Sequence, residues 1–344
     1  MKANFKKHTL EFKRPSGTSR GVLKKKETYF LILVKEGKKG IGECGLLKGL
    51  SIDDRPDYEI KLQWVCDNID LGFKKLYDEC LEFPSIQIGI ETAFKSLKST
   101  DPFQIFPSNF SHGKASIEIN GLVWMGDKNF MKTQIAEKLK QGFGCVKMKI
   151  GAIDFETEID LLKSIRKNFG PEEIELRVDA NGAFNFHDAL EKLKTLSDLQ
   201  LHSIEQPIMQ GLWEKMAHLC EKSPLPIALD EELIGIFSEE KKKQLLQTIK
   251  PHYIILKPSF IGGFEGSDSW ILEAQKLGIG WWITSALESN VGLNAISQYT
   301  FTKNSTLPQG LGTGSLYKNN IPSPLEVNNG KIKYNPMIDW DFNV

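Results

Sequence analysis

The chain is poor in cysteine and shows no pairing pattern among the five it has: Cys44, Cys66, Cys80, Cys145 and Cys220 are scattered, odd in number and include no Cys-x-x-Cys. Neither a disulfide framework nor a thiolate zinc site fits that spacing, so free thiols in a reducing cytoplasm are expected. No apolar run is long enough to span a bilayer, and residues 1–15 carry lysines but lack the apolar stretch of a secretion signal. Net charge is missing too, since 44 Lys and Arg balance 44 Asp and Glu. Without a long-range field of one sign, recruitment to nucleic acid or to an anionic membrane is not expected. None of the six histidines stands at the end of an apolar run beside a partner, which reads as structural or surface use.

What is present is length and rhythm. The 344 residues suffice for two domains, or for one large barrel with additions. Residues 8–12 and 28–34 are β-rich and flank a polar stretch, 13–27, which reads as a hairpin with a long loop. Residues 40–45 form a third turn-bounded strand, and 46–56 a Gly- and Asp-containing loop of a length that is usually functional. From 57 to about 98 the apolar spacing is helical, and Pro84 divides it into two helices. Strands followed by helices describe a small α+β domain over residues 1–114, with 102–113 as the linker.

From residue 115 strands and helices alternate. Strands are expected at 116–123, 145–150, 174–178, 202–205, 227–229, 253–256 and 281–284, with a weak one near 309–311 and helical patterns between. Eight strands and seven helices imply a parallel sheet closed into a (β/α)7β TIM-type barrel over 115–319. An open doubly wound sheet is the alternative, but the Gly-rich phosphate turn after its first strand is absent. Residues 320–344, with a turn at 328–330 and a short strand at 331–334, are expected to pack back on the first domain.

Three of these strands end in an acid: Asp179, Glu205 and Asp230 recur about 25 residues apart, the length of one strand, loop and helix. A lone acid at a strand end is ordinarily a helix N-cap or a solvated charge. Three in order on neighbouring parallel strands instead converge on one point, as a hard oxygen cage for Mg2+, with Mn2+ as substitute. Lys147 and Lys149 lie one unit earlier and Lys257 one unit later. Two-residue spacing puts Lys147 and Lys149 on one strand face, as it does Arg177, Asp179 and Asn181. A lysine has to be neutral to take a proton, a state promoted by a second lysine beside it and by a divalent cation. The run Gly310-Leu311-Gly312-Thr313-Gly314 lacks the helix and lysine of a nucleotide loop, so it reads as a tight turn or a close backbone approach.

Taken in order, Lys147-Met148-Lys149, Arg177 to Asn181, Glu205-Gln206-Pro207, Asp230-Glu231, Lys257-Pro258 and Ser285 to Ser289 resemble the enolase superfamily, in its muconate-lactonizing subgroup. The resemblance covers nearly the whole chain and implies a capping domain on a catalytic barrel. It implies a metal site of Asp179, Glu205 and Asp230, with Glu231 behind them and Lys149, Lys257 and Lys147 as catalytic groups. Residues 284–294 and 309–317 are similar to subgroup members that, in menaquinone biosynthesis, dehydrate a succinyl-bearing hydroxycyclohexadiene carboxylate through a metal-stabilised enediolate. Racemases of N-succinylamino acids and dipeptide epimerases are the rivals within the superfamily. The dipeptide epimerases carry an Asp-x-Asp pair where this chain has Leu311-Gly312-Thr313. Arg177, Asn181, Ser285, Thr313 and Ser315 are then expected to meet the substrate, a small-molecule carboxylate. A barrel that only binds a ligand is the non-enzymatic alternative, because fold alone does not establish activity.

Overall fold

The structure, a computed structural model, describes residues 1–18 and 21–343. It opens with β1 (Lys2–Thr18), β2 (Gly21–Lys35) and β3 (Lys38–Cys44), an antiparallel sheet in that order. The polar stretch expected as a loop is therefore strand, apart from residues 19 and 20, which lie outside the described residues. Ser16 pairs with Leu23 and Glu11 with Lys25 on either side of a register shift, so the two arms pair as strands although most side chains there face solvent. Helices α1 (Tyr58–Asp67), α2 (Gly72–Glu79) and α3 (Pro84–Lys98) follow. The expected first helix is broken at residues 68–72, where Gly72 takes φ 79, and Pro84 occupies the first turn of α3, where its missing N–H has no cost. Leu31, Leu33, Leu62, Val65, Leu76, Ile86 and Ile90 form the core between this sheet and the helices. β3 lies so close to α3 that a Cβ on Gly42 would stand 2.0 Å from the Gly89 carbonyl oxygen.

The expected strand 116–123 divides into β4 (Ser116–Glu118) and β5 (Gly121–Val123). Two consecutive amides serve different neighbours here: Ile119 N donates to the Gly330 carbonyl and Asn120 N to that of Gln309. α4 (Lys128–Lys140), β6 (Cys145–Lys149), α5 (Phe155–Arg166), β7 (Glu175–Asp179), α6 (Phe186–Ser197), β8 (Ser203–Glu205) and α7 (Trp213–Lys222) follow in alternation. Then come β9 (Ile227–Leu229), α8 (Glu239–Ile249), β10 (Tyr253–Leu256), the short α9 (Pro258–Ile261), α10 (Gly263–Lys276), β11 (Gly280–Ile283) and α11 (Asn290–Thr302). β5 to β11 form one parallel sheet in chain order. The weak eighth strand is reduced to bridges: Gly310 N donates to the Ile283 carbonyl and Gln309 N to the Glu118 carbonyl, each at 2.8 Å, so residues 309–310 join the two edges into a ring. A Cβ on Gly310 would lie 2.4 Å from Thr284 Oγ1, which is why a glycine closes it. The fold is thus a barrel with an antiparallel α+β unit ahead of it.

The C-terminal segment serves two neighbours. β12 (Leu325–Asn328) and β13 (Lys331–Tyr334) pair with each other, and β13 pairs with β4. Trp340 and Phe342 instead pack on Phe103 and Phe30, the latter on β2.

Candidate active site

Parallel register aligns the first candidate residues without help from any loop. Lys149 on β6 stands beside Asp179 on β7, and Asp179 beside Glu205 on β8. Asp230 follows β9 and Lys257 follows β10, at the same end of the barrel. After the acids the backbone turns sharply: Asn181 and Gln206 take φ 45 and 40, left-handed values uncommon for residues with a Cβ. Gln206 secures the next loop, its Oε1 accepting from Asp230 N at 3.2 Å and Glu232 N at 3.3 Å, and its Nε2 donating to Glu232 at 3.0 Å.

The three lysines and the acids form one buried network. Lys149 Nζ donates to Asp179 Oδ2 at 2.8 Å and to Asn181 Oδ1 at 2.7 Å. Lys147 Nζ bridges Glu205 Oε2 at 2.5 Å and Asp179 Oδ2 at 3.4 Å. Lys257 Nζ is bonded to Asp230 and lies 3.8 Å from Glu205 Oε1. Asn181 also donates to Glu231 at 3.0 Å, joining the Lys149 wall to the loop after β9. Burial works to raise the Asp179 carboxyl, but the ammonium groups of Lys149, Lys147 and Lys257 outweigh it and hold it well below the usual carboxylate range. For Glu205 burial and the neighbouring Asp179 win over Lys147, pushing it up to about 8. Burial disfavours the charge on Lys147 and Lys257, yet the facing acids keep both above the ordinary lysine range. For Lys147 that is opposite to the direction expected beside a divalent cation.

Among the described residues no three His, Cys, Asp or Glu side chains are grouped so as to hold a metal as they stand. Lys147 and Lys257 link the three acids instead. The donor set still suits a hard cation. Glu205 Oε1 is buried with no hydrogen-bond partner, and four buried carboxylates, counting Glu231, share three ammonium groups.

A cavity of about 410 Å3 lies over the network. Lys147, Lys149, Asp179, Asn181 and Lys257 line it, as do Ser285, Thr313 and Ser315. Ser285 and Thr313 share a hydroxyl hydrogen bond of 2.5 Å. Arg177 does not reach the cavity, contrary to its expected role with substrate. It sits one layer deeper, 1 % exposed, bonded to Glu175 at 2.7 Å and to the Pro308 carbonyl at 3.0 Å, with its guanidinium over the Trp282 ring. No histidine lines the cavity among the described residues, and all five cysteines are buried and free. Sequence reasoning missed Lys13, Arg14 and Ser16 of β1, Leu47 and Leu50 of the loop after β3, and Lys138 of α4, all of which line the cavity. For Lys13 and Arg14 the available signal is cationic side chains in the polar stretch between the first two apolar runs.

Barrel, capping sheet and strand-end acids define one class: the chain belongs to the enolase superfamily, whose enolase C-terminal domain-like family matches residues 131–336. Over 96% of its length it is 45% identical to the o-succinylbenzoate synthase of Desulfotalea psychrophila, covering 98% of that protein. The crystal structure of MenC from the same organism superposes with a TM-score of 0.86 at 41% identity, covering 97% of this chain and 99% of that one. The L-Ala-D/L-Glu epimerase of Bacillus subtilis is 26% identical over 55% of this chain and 51% of its own length. A muconate lactonizing enzyme from Pseudomonas fluorescens shares the fold, with a TM-score of 0.84 at 19% identity over 98% of this chain and 96% of that one.

Proposed function

We propose that this chain is a carbon–oxygen lyase that removes water from 2-succinyl-6-hydroxy-2,4-cyclohexadiene-1-carboxylate to give o-succinylbenzoate, the product named for its 45% identical relative. One observation carries the reading. At the floor of the cavity Lys147, Lys149 and Lys257 are paired with Asp179, Glu205 and Asp230, whereas among the described residues of its outer wall Lys13, Arg14 and Lys138 face a single acid, Glu137. Such a wall suits a dicarboxylate with no ammonium group, whereas a dipeptide would bury its amine against cations. Leu311, Gly312 and Thr313 bring no acid to balance that charge.

Asp179, Glu205 and Asp230 would hold Mg2+, or Mn2+ in its place. When bound, the cation neutralises charge growing on the substrate carboxylate. Lys149, once neutral, takes the proton from the carbon that bears the carboxylate. The resulting ammonium then protonates the departing hydroxyl, so one residue serves a syn elimination as base and acid. Lys257 comes from the opposite side of the ring, four strands away, and its fixed charge stabilises the developing anion. Asn181 and Lys147 hold Lys149, Asp179 and Glu205 in place. The substrate is a soluble small molecule, and no described helix is long and apolar enough to cross a membrane.

The test is an assay of purified protein with Mg2+ and the hydroxycyclohexadiene, following loss of diene absorbance. The expected result is stoichiometric conversion to the aromatic product, and absence of aromatisation under conditions that preserve the fold would refute the proposal.

A further inference from the structure

The cavity wall after β11 contains a backbone conformation that its own sequence does not favour. Leu287, which lines the cavity with Ser285 and Ala286, takes φ 64, a left-handed value unfavourable for a bulky side chain. Its carbonyl is held by two donors from elsewhere, Lys26 Nζ at 2.9 Å and Tyr317 Oη at 2.6 Å. Lys26 belongs to β2 of the capping sheet and is 3 % exposed. The residues on either side of this contact are tied equally firmly. Glu288 accepts from Ser259 Oγ at 2.5 Å and Ala286 N at 2.8 Å. Glu43 of β3 accepts from Thr28 Oγ1, Ser289 N and Gly292 N, each at 2.8 Å, and from Ser289 Oγ at 2.5 Å.

A buried ammonium is a poor device for stability alone, since an apolar side chain of the same volume ordinarily serves as well or better. It offers what an apolar group lacks, a directed donor to a carbonyl that a strained turn has aimed inward.

We propose that Lys26 is a positioning residue that clamps the left-handed turn at Leu287, so that the 285–287 wall of the substrate cavity takes its binding shape only while the β1–β2 hairpin is docked on the barrel. The proposal rests on the reading of this cavity as the dehydratase site. Leu287 shapes the pocket but carries no reacting group, so loss of the clamp falls on substrate binding and not on the proton transfers.

Lys26→Met keeps the stem and removes the donor. With Mg2+ and the diene substrate it is expected to raise KM roughly tenfold while kcat stays within about threefold of wild type. In a Leu287→Gly background, where the left-handed turn needs no clamp, the same substitution is expected to raise KM by less than about threefold. Hydrogen exchange gives a readout that needs no turnover: amides of residues 285–292 should exchange faster in Lys26→Met than in wild type, with the strands of the barrel unchanged. If Lys26→Met does not fold, Lys26→Gln, a shorter polar stem, is read in the same way. An unchanged KM, equal KM effects in both backgrounds, or unaltered exchange at 285–292 would each overturn the clamp. Faster exchange in a protein whose wild type never aromatises the diene would uphold the clamp and refute the dehydratase reading.

Discussion

At the scale of single residues the chemistry depends on which lysine can release a proton and which only holds charge. Lys149 touches Asp179 and Asn181, and Lys257 is bonded to Asp230. Lys149→Ala is expected to lower kcat by about a thousandfold, within the range for a general acid–base group, and Lys257→Ala by about a hundred- to a thousandfold, the range for a group that stabilises developing charge. Lys149→Arg should fail equally, because a guanidinium does not deprotonate in proteins. Robust turnover in Lys149→Ala, read by diene absorbance, would remove it from the base role. The lysines and acids were legible because strand alternation and a repeat of about 25 residues are both written in the sequence. Arg177 misled for the same reason. It shares a face with Asp179, but alternation reports the face and not the depth, and two residues back along β7 is one layer further inside the barrel.

Between elements, the joint of the α+β unit with the barrel holds a titrating carboxyl. Glu91 of α3 accepts from Phe264 N at 2.7 Å and Glu265 N at 3.4 Å, in the first turn of α10. Burial pushes it up to about 7, although those amides and the charge of Lys95 act the other way. An acid whose folded pKa is raised binds its proton more tightly when folded. Its contribution is complete below the unfolded pKa, near 4.5, and is lost as pH rises through about 7. Glu91→Gln should therefore flatten the decline of stability between those values, by on the order of 3 kcal/mol, as read from urea midpoints. An identical decline in the variant would show that Glu91 is not the group responsible. Such a joint was not readable beforehand, because burial of Glu91 depends on how two distant segments meet. The hairpin was misread similarly. Polar residues 13–27 look like a loop until the partner arm that satisfies their backbone is known. The (β/α) alternation needed no such knowledge, since each strand and helix carries its own period.

Over the whole molecule, charge governs both the metal and the substrate. Four buried carboxylates share three ammonium groups at one end of the barrel, and Glu205 Oε1 has no hydrogen-bond partner. Mg2+ at a hundred times its Kd should therefore stabilise the fold by about 2.7 kcal/mol through mass action, seen as a rise in Tm of chelator-treated protein. Asp179→Asn, Glu205→Gln and Asp230→Asn should each lose most activity and most of that rise. Full turnover after chelation would end the metal proposal. Substrate choice follows from the remaining imbalance. Lys13 and Arg14 come from β1 and Lys138 from α4, so cations from both units face the outer part of a cavity whose inner wall holds three lysines already paired with acids. A substrate with carboxylates at both ends can use both sets. A dipeptide would place its ammonium among them, and desolvating an unpaired ammonium is among the costlier events in a protein interior. N-succinylamino acids are the harder rivals, because they share the succinyl carboxylate and lack a free amine. The two dianions differ in what a single-base elimination can do with them. Only the hydroxycyclohexadiene has a leaving group on the carbon next to the proton, and only its product gains an aromatic ring. Racemisation needs proton delivery from the opposite face, which would fall to Lys257, and it gains no aromatic ring. Purified protein is therefore expected to aromatise the diene faster than it exchanges the α-proton of an N-succinylamino acid in D2O, and to leave dipeptides unchanged by polarimetry. Rapid epimerisation of a dipeptide without any aromatisation would overturn the substrate assignment, while the barrel, its acids and its lysines would still require proton abstraction beside a carboxylate.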